Sequence, residues 1–244
     1  MTIKLNCDLG ESYGAWRMGI DSAVMPHIDQ ANIACGFHAG DPQVMQKTLA
    51  MAREHGLVIG AHPAYPDLVG FGRRSLNCHP DEIVALMHYQ VAALDGMART
   101  QQMTLSYVKP HGALYNDMMA NTEVRRAVMQ AIAHYPAPIA LMLQATPAFT
   151  QHQAEASEWG IELMFEAFAD RCYDDNGLLL SRSREGAVLS RDRMLKQVEQ
   201  LRNSGTVTTI SGHTLELQVD TVCVHGDNAA GVQAIQEIRE VLLG

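Results

Sequence analysis

The residues of this chain that can do acid–base or metal chemistry gather where short apolar runs stop. Asn6-Cys7-Asp8, then Gly10-Glu11, closes the first run. Asn32 lies within the second, and His38 follows it in NIACGFHAGDP, Asn32 to Pro42. His62 ends the third in GAHP, and Lys109-Pro110-His111 ends the fourth. Glu166, with Asp170-Arg171 beyond it, ends a later run, and His225-Gly226-Asp227 ends the last. Carboxylates and imidazoles are costly to bury unless paired or bound to a ligand. Four histidines together with Asp8, Glu166 and Asp227 at one face therefore predict a polar active site. One chemistry open to it is metal-free acid–base catalysis, in which a carboxylate pairs with an imidazole and sets its protonation. The other is a divalent metal such as Zn or Mn held by Asp8, His38 and His62, which come from three successive strand ends. No HExxH or HxxxH run makes the metal pattern specific. The remaining histidines (His27, His55, His79, His88, His134, His152 and His213) are expected to be solvated or partly buried.

Lys109 is the unusual charge. It ends an apolar run, where a solvated amine is out of place, so it either holds an anionic oxygen or pairs with Asp8 or Glu166. Gly70-Phe71-Gly72-Arg73-Arg74 is a glycine-spaced loop with two adjacent cations, and arginine reads carboxylate or phosphate bidentately. There is no GxxxxGK[ST] and no GxGxxG between strand and helix, so a Walker-type or dinucleotide site is unsupported. No GxSxG elbow occurs, which argues against serine acyl transfer. Cys35 and Cys223 lie near strand-end histidines but inside apolar runs, where a thiol is usually a small core residue.

These residues need elements that bring their ends together. The candidate strands are 3–7, 31–35, 57–61, 105–109, 139–143, 162–166 and 221–225, with helical patterns between them. Asp41-Pro42 opens a helix that Gly56 closes. Further helices begin near Pro80, at Asn121 or Thr122, at Thr146-Pro147 (ending near Gly160) and at Ser190 (ending at Gly205). A last one carries Val232, Ile235, Ile238 and Leu242. Residues 206–219 read as a small hairpin with Gly212 in its turn. Strands alternating with helices imply parallel pairing and right-handed crossovers. An open sheet would concentrate its chemistry at one switch point. Polar residues at nearly every strand end favour a closed barrel, whose site collects side chains from many strands. The expectation is a single-domain, distorted (β/α) barrel of about seven parallel strands over residues 1–244.

Composition narrows the function classes. With 47% hydrophobic and 18% charged residues the chain can build a sizeable core, and its formal net charge of −9 argues against nucleic-acid binding. The five cysteines are scattered and form no CxxC pair, so neither a disulfide framework nor a zinc knuckle is expected. The start, MTIKLNCDLGE, has no signal-peptide apolar region, and no run approaches a membrane span. A cytoplasmic location is expected.

NCDLGE, ANIACGFHAGD, GAHPAYPDLVGFGRR, VKPHGALYN, EAFADRCY and TVCVHGD together resemble the LamB/YcsF family, from Leu5 to Asp227. One departure lies at Asn176 to Arg182, where the family usually has Pro-Arg after the glycine-rich turn; Arg182 keeps the cation. The resemblance implies a barrel of the glycoside hydrolase/deacetylase type and a role as the A-subunit of an ATP-dependent 5-oxoprolinase. Such an enzyme opens the lactam of 5-oxo-L-proline to L-glutamate with ATP as co-substrate, hydrolysed to ADP and phosphate. Subunits B and C (PxpB and PxpC) are the implied partners. Within that reading Lys109, Arg73 or Arg74 would hold a substrate carboxylate or phosphate. Asp8, Glu166 or Asp227 would orient water, and His62 or His111 would carry protons. Asn6, Asn32, Arg171 and His225 join the substrate- or phosphate-contacting set. Two competing readings are a metal-dependent deacetylase on the same kind of barrel and a non-catalytic scaffold subunit.

Overall fold

Strands covered by helices on one face and enclosed by their own ring on the other read as short apolar runs, and the runs named above become the staves of one closed barrel. The computed structural model describes residues 3–182, 184–224 and 229–243, with backbone alone over 229–232. Around the ring stand β1 (Lys4–Leu9), β2 (Gln30–Ala34), β3 (Val58–His62), β4 (Leu105–Val108), β5 (Ala140–Gln144) and β6 (Leu163–Phe168). A hairpin of β7 (Thr206–Thr208) and β8 (Thr214–Glu216) then precedes β9 (Thr221–Cys223). β9 pairs in parallel with both β6 and β1 and so closes the ring. An open sheet would leave two edges; here Lys4, Leu5 and Asn6 are in register with Thr221, Val222 and Cys223.

The helices are α1 (Asp21–Val24), α2 (Pro42–Glu54), α3 (Pro80–Thr100), α4 (Gly112–Ala120), α5 (Thr122–Ala133), α6 (Phe149–Trp159), α7 (Arg191–Ser204) and α8 (Ala229–Leu243). Local chemistry sets their ends. The Asp41 carboxylate accepts from the backbone N–H groups of Gln43 and Val44, 2.9 and 3.1 Å away, and Pro42 takes the first turn of α2. His79 and Glu82 form a capping box on α3. Gly160 and Gly205 terminate α6 and α7 in the left-handed conformation. Among the described residues no helix is long and apolar enough to cross a membrane.

Several boundaries differ from the sequence reading. β1 runs on to Leu9 and takes Asp8 into the strand, whereas β4 stops one residue before Lys109. β9 is described only to Cys223, and His225 and Asp227 lie outside the described residues. α4 is an added helix. Asn121 both ends α4 and caps α5, so the sequence signal for the second helix masks the first. His152, expected near the surface, is buried in α6.

The barrel interior is polar. Leu5, Cys7 and Leu9 of β1 join the apolar layer under the helices, so the alternation of a strand turns Asn6 and Asp8 inward. Asn32 Nδ2 donates to Asn6 Oδ1 and Asp8 Oδ1, both at 2.8 Å, and the Tyr107 hydroxyl donates to Asn32 Oδ1 at 2.6 Å. Asn6 Nδ2 donates to Thr221 Oγ1 at 2.9 Å. Bulky branched apolar side chains usually fill such a barrel; here a hydrogen-bonded plug occupies part of that space. Gly60 stands in register with Asn32 on one side and Tyr107 on the other, and a Cβ there would come within 2.0 Å of the Tyr107 ring. Gly60→Ala is expected to destabilise the protein by about 1–3 kcal/mol through overpacking, read as a lowered urea midpoint. An unchanged midpoint would mean that the Tyr107 ring has another place to go.

Candidate active site

Lys109 follows β4 directly and points back across the barrel. Its Nζ lies 2.8 Å from Asp8 Oδ1 and 2.7 Å from Glu166 Oε1, bridging β1 and β6, with Cys223 Sγ at 3.3 Å. Lys109 and Glu166 are almost wholly buried. Burial opposes the charge on Lys109, but Asp8, Cys223 and Glu166 outweigh it and hold the ammonium well above the ordinary lysine range. Tyr115 of α4 donates to Glu166 Oε2 at 2.9 Å. The pairing reading of Lys109 is therefore the one observed, and with both carboxylates at once.

Asp8 reaches the pocket from this anchor. Its Oδ1 accepts from Lys109 and Asn32, and its Oδ2 faces His62 Nε2 at 3.3 Å. His62 ends β3, and its Nδ1 is 2.7 Å from the Lys109 carbonyl oxygen. His111 Nδ1 lies 2.9 Å from His62 Nε2, while its Nε2 donates to the Phe71 carbonyl at 2.9 Å. The His38 ring stacks on His111, with centroids 3.7 Å apart and planes 5° from parallel, and its Nε2 is 3.1 Å from Glu11 Oε1. Burial first, and then the neighbouring imidazoles, press His38 and His111 well below the usual histidine range.

Glycines let two loops close over these rings. Gly72 has φ +65°, and a Cβ there would lie 2.9 Å from both His111 Cδ2 and His38 Cβ. Phe71 itself sits in the left-handed region at φ 54°, an unfavourable conformation for a bulky residue that holds where the surroundings enforce it. Its ring packs edge-on against His38 and His111, and its carbonyl receives the His111 proton.

A cavity of about 470 Å³ lies beside the cluster, lined by Asp8, Glu11, His62, Arg73, Lys109, His111, Arg171 and residues 178–182. Such a volume suits a small-molecule site, which usually falls within roughly 300–1,000 Å³. Arg73 lies over the Phe71 ring, 5.3 Å from its centroid. Arg171 is buried, its Nε has no hydrogen-bond partner, and its Nη2 donates to the Leu180 carbonyl. Burial, then the nearby charge of Arg182, lowers the Arg171 pKa.

Other expected site residues lie elsewhere. Arg74 turns away from the cavity to the Asp67 carboxylate, which it holds down to about 2, and so staples its own loop. Asn6 and Asn32 are wholly buried in the barrel plug and position Asp8 rather than line the cavity. The grouping of possible metal donors also differs from Asp8, His38 and His62. One ligand atom each from Glu11, His38, His62 and His111 lie within 4.8 Å of one another, and three imidazoles with a carboxylate have the donor chemistry of a Zn or Mn site. Sequence reasoning places Glu11 at the end of the first run without a role, and it misses Tyr115 and the cavity-lining Gln144. Only Glu11 carried a signal, its place three residues after Asp8 beyond a glycine.

The profile of the LamB/YcsF family matches residues 3–244 of the chain. The second 5-oxoprolinase A-subunit of Pseudomonas putida is 54% identical over 243 residues, which span 99% of this chain and 94% of that protein. The 5-oxoprolinase A-subunit of Vibrio parahaemolyticus is 51% identical over 241 residues, 98% of this chain and 95% of that protein. The crystal structure of a lactam utilization protein from Thermus thermophilus superposes with a TM-score of 0.91 at 34% identity, covering 100% of this chain and 96% of that one.

Removing one partner of a buried ion pair leaves the others uncompensated. Lys109→Met is expected to cost about 3–5 kcal/mol near neutral pH, with Lys109→Met/Glu166→Gln recovering part of it in urea unfolding. Because the folded state raises the Lys109 pKa, its stabilisation is complete below the unfolded value of about 10.4. It is lost as pH rises through the folded-state value. A melting-temperature series at alkaline pH should show that loss in the native chain and not in Lys109→Met. Equal neutral-pH stability of the two would remove Lys109 as the anchor.

Proposed function

The chain belongs to the LamB/YcsF family, and from that membership and the geometry above we propose that it is the lactam-opening subunit of a 5-oxoprolinase complex. The observation that carries the proposal is the setting of Asp8. Lys109 and Asn32 hold one carboxylate oxygen, and the other faces the His62–His111 pair at the cavity wall. In this reading a water beside Asp8 Oδ2 gives up a proton and attacks the ring carbonyl carbon. The new C–O bond forms as the C=N π electrons of the O-phosphorylated lactam move to nitrogen. Collapse of that adduct breaks the C–N bond, and the ring nitrogen takes the proton that Asp8 accepted from the water to leave as the amine of glutamate. Arg73 and Arg171 stand where the substrate carboxylate would be held.

A lactam carbonyl is a poor electrophile, and its ring opening is nearly balanced in free energy. Coupling to hydrolysis of ATP to ADP and phosphate supplies the drive. The amide oxygen takes the γ-phosphoryl group as ADP leaves, which activates the carbon. After the C–N bond breaks, a second water hydrolyses the resulting acyl phosphate to glutamate and phosphate. ATP is thus a co-substrate of the complex, in which subunits B and C are the partners of this chain.

The test combines the chain with its partner subunits, 5-oxoproline and ATP, and follows glutamate and ADP separately. Asp8→Asn is expected to slow glutamate release by roughly 10²–10⁴-fold, the usual contribution of general acid–base catalysis, with circular dichroism unchanged. A near-native rate would remove Asp8 from the mechanism. No glutamate from the native complex would overturn the reading itself. The donor cluster of Glu11, His38, His62 and His111 favours a second reading, a metal-dependent deacetylase; its activity would need no ATP and would disappear with a chelator.

A further inference from the structure

The hydrogen bonds around His62 and His111 fix where their protons sit. His62 Nδ1 is 2.7 Å from the Lys109 carbonyl oxygen, and His111 Nε2 is 2.9 Å from the Phe71 carbonyl oxygen. A carbonyl only accepts, so each of those nitrogens is the donor to it, and the ring's other nitrogen is the one turned toward the cluster. His62 Nε2 and His111 Nδ1 therefore face each other at 2.9 Å. Two carboxylate oxygens crowd the same spot: Glu11 Oε1 at 3.3 Å from His111 Nδ1, and Asp8 Oδ2 at 3.3 Å from His62 Nε2. Two imidazole nitrogens and two carboxylate oxygens, all able to bind a cation, thus converge on one spot.

A single shared proton would serve only two of these atoms. We infer that Glu11, His38, His62 and His111 form the binding site of a divalent transition-metal ion. The ligand atoms lie within 4.8 Å of one another. Adjacent contacts of 2.9, 3.1 and 3.3 Å are close to the spacing of donors that share an ion through bonds of about 2.0–2.2 Å. The carbonyls of Lys109 and Phe71 play the part of the outer partners that metal-bound histidines almost always have, orienting each ring and fixing its tautomer. His38 is buried and its Nδ1 has no hydrogen-bond partner, so that ring is not committed to the protein by both nitrogens. Asp8 stands beside the site, but its Oδ1 is spent on Lys109 and Asn32; Glu11 and His111 supply the donors that an Asp8–His38–His62 set would lack. A bound ion of this class would act as a Lewis acid beside Asp8. The assignment rests on the donor geometry alone and stands whether or not the substrate is a lactam.

The test strips the purified full-length chain with a chelator and titrates it with Zn(II) by calorimetry and with Co(II) by visible absorption. One ion per chain is expected, with the ligand-field bands of a nitrogen-rich site. His111→Ala and Glu11→Gln should weaken binding by more than the roughly 10–100-fold that loss of an outer partner causes. Circular dichroism would check that each variant is folded. Histidine ¹⁵N shifts of the native chain give a readout that needs no variant, and Zn(II) should move His62 Nε2 and His111 Nδ1. Failure of the native chain to take up either ion, uptake with the same affinity in both folded variants, or ¹⁵N shifts unmoved at saturating Zn(II) would each overturn the assignment.

Discussion

One buried ammonium organises the site. Lys109 lies between Asp8 and Glu166 where neither carboxylate could be tolerated alone. The pairing is as much positional as energetic, since a buried ion pair is weak evidence of net stabilisation and strong evidence of a required arrangement. It ties β4 to β1 and β6 across the barrel. The same residue acts a second time through its backbone, because its carbonyl receives the His62 Nδ1 proton. The orientation of the acid and the tautomer of the neighbouring base thus both follow from where one lysine leaves its strand.

The polar barrel interior extends that control downward. Asn32 touches Asn6, Asp8 and Tyr107 at once, so the carboxylate at the cavity is braced from below as well as from the side. Gly60 leaves the room in which the Tyr107 ring reaches that network. A barrel filled with branched apolar side chains would pack as well but could not hand a hydrogen bond up to Asp8.

Much of this was legible in the sequence because a parallel barrel has simple rules. Apolar runs become staves, and the residues where they stop share one end of the ring. By that rule Asp8, His62, Lys109, His111 and Glu166 share one end, as they do in the structure. Depth was not legible: Asn6 and Asp8 are two residues apart on one strand face, yet one belongs to the plug and the other to the cavity. Loop geometry was not legible either. Glu11 lies beyond Gly10, whose φ of +70° turns the chain and whose N–H bonds Asp21 Oδ2 at 2.9 Å. Arg74 looks like the twin of Arg73 until Asp67, seven residues earlier in the same loop, is seen to claim it. Spacing along a chain reports strand periodicity faithfully and carries little information about irregular segments.

The loops after β3 and β4 touch through bare backbone. Ala113 N–H donates to the Gly72 carbonyl at 2.8 Å, and a Cβ on Gly112 would come within 2.5 Å of that same oxygen. With no side chain between them to swing aside, these two segments shift together or not at all. The wall that carries the imidazoles is therefore a stiff jaw. Accommodation of guests of different outline then falls to another segment lining the cavity, Leu178 to Arg182, which is where divergence in selectivity among homologous chains should accumulate.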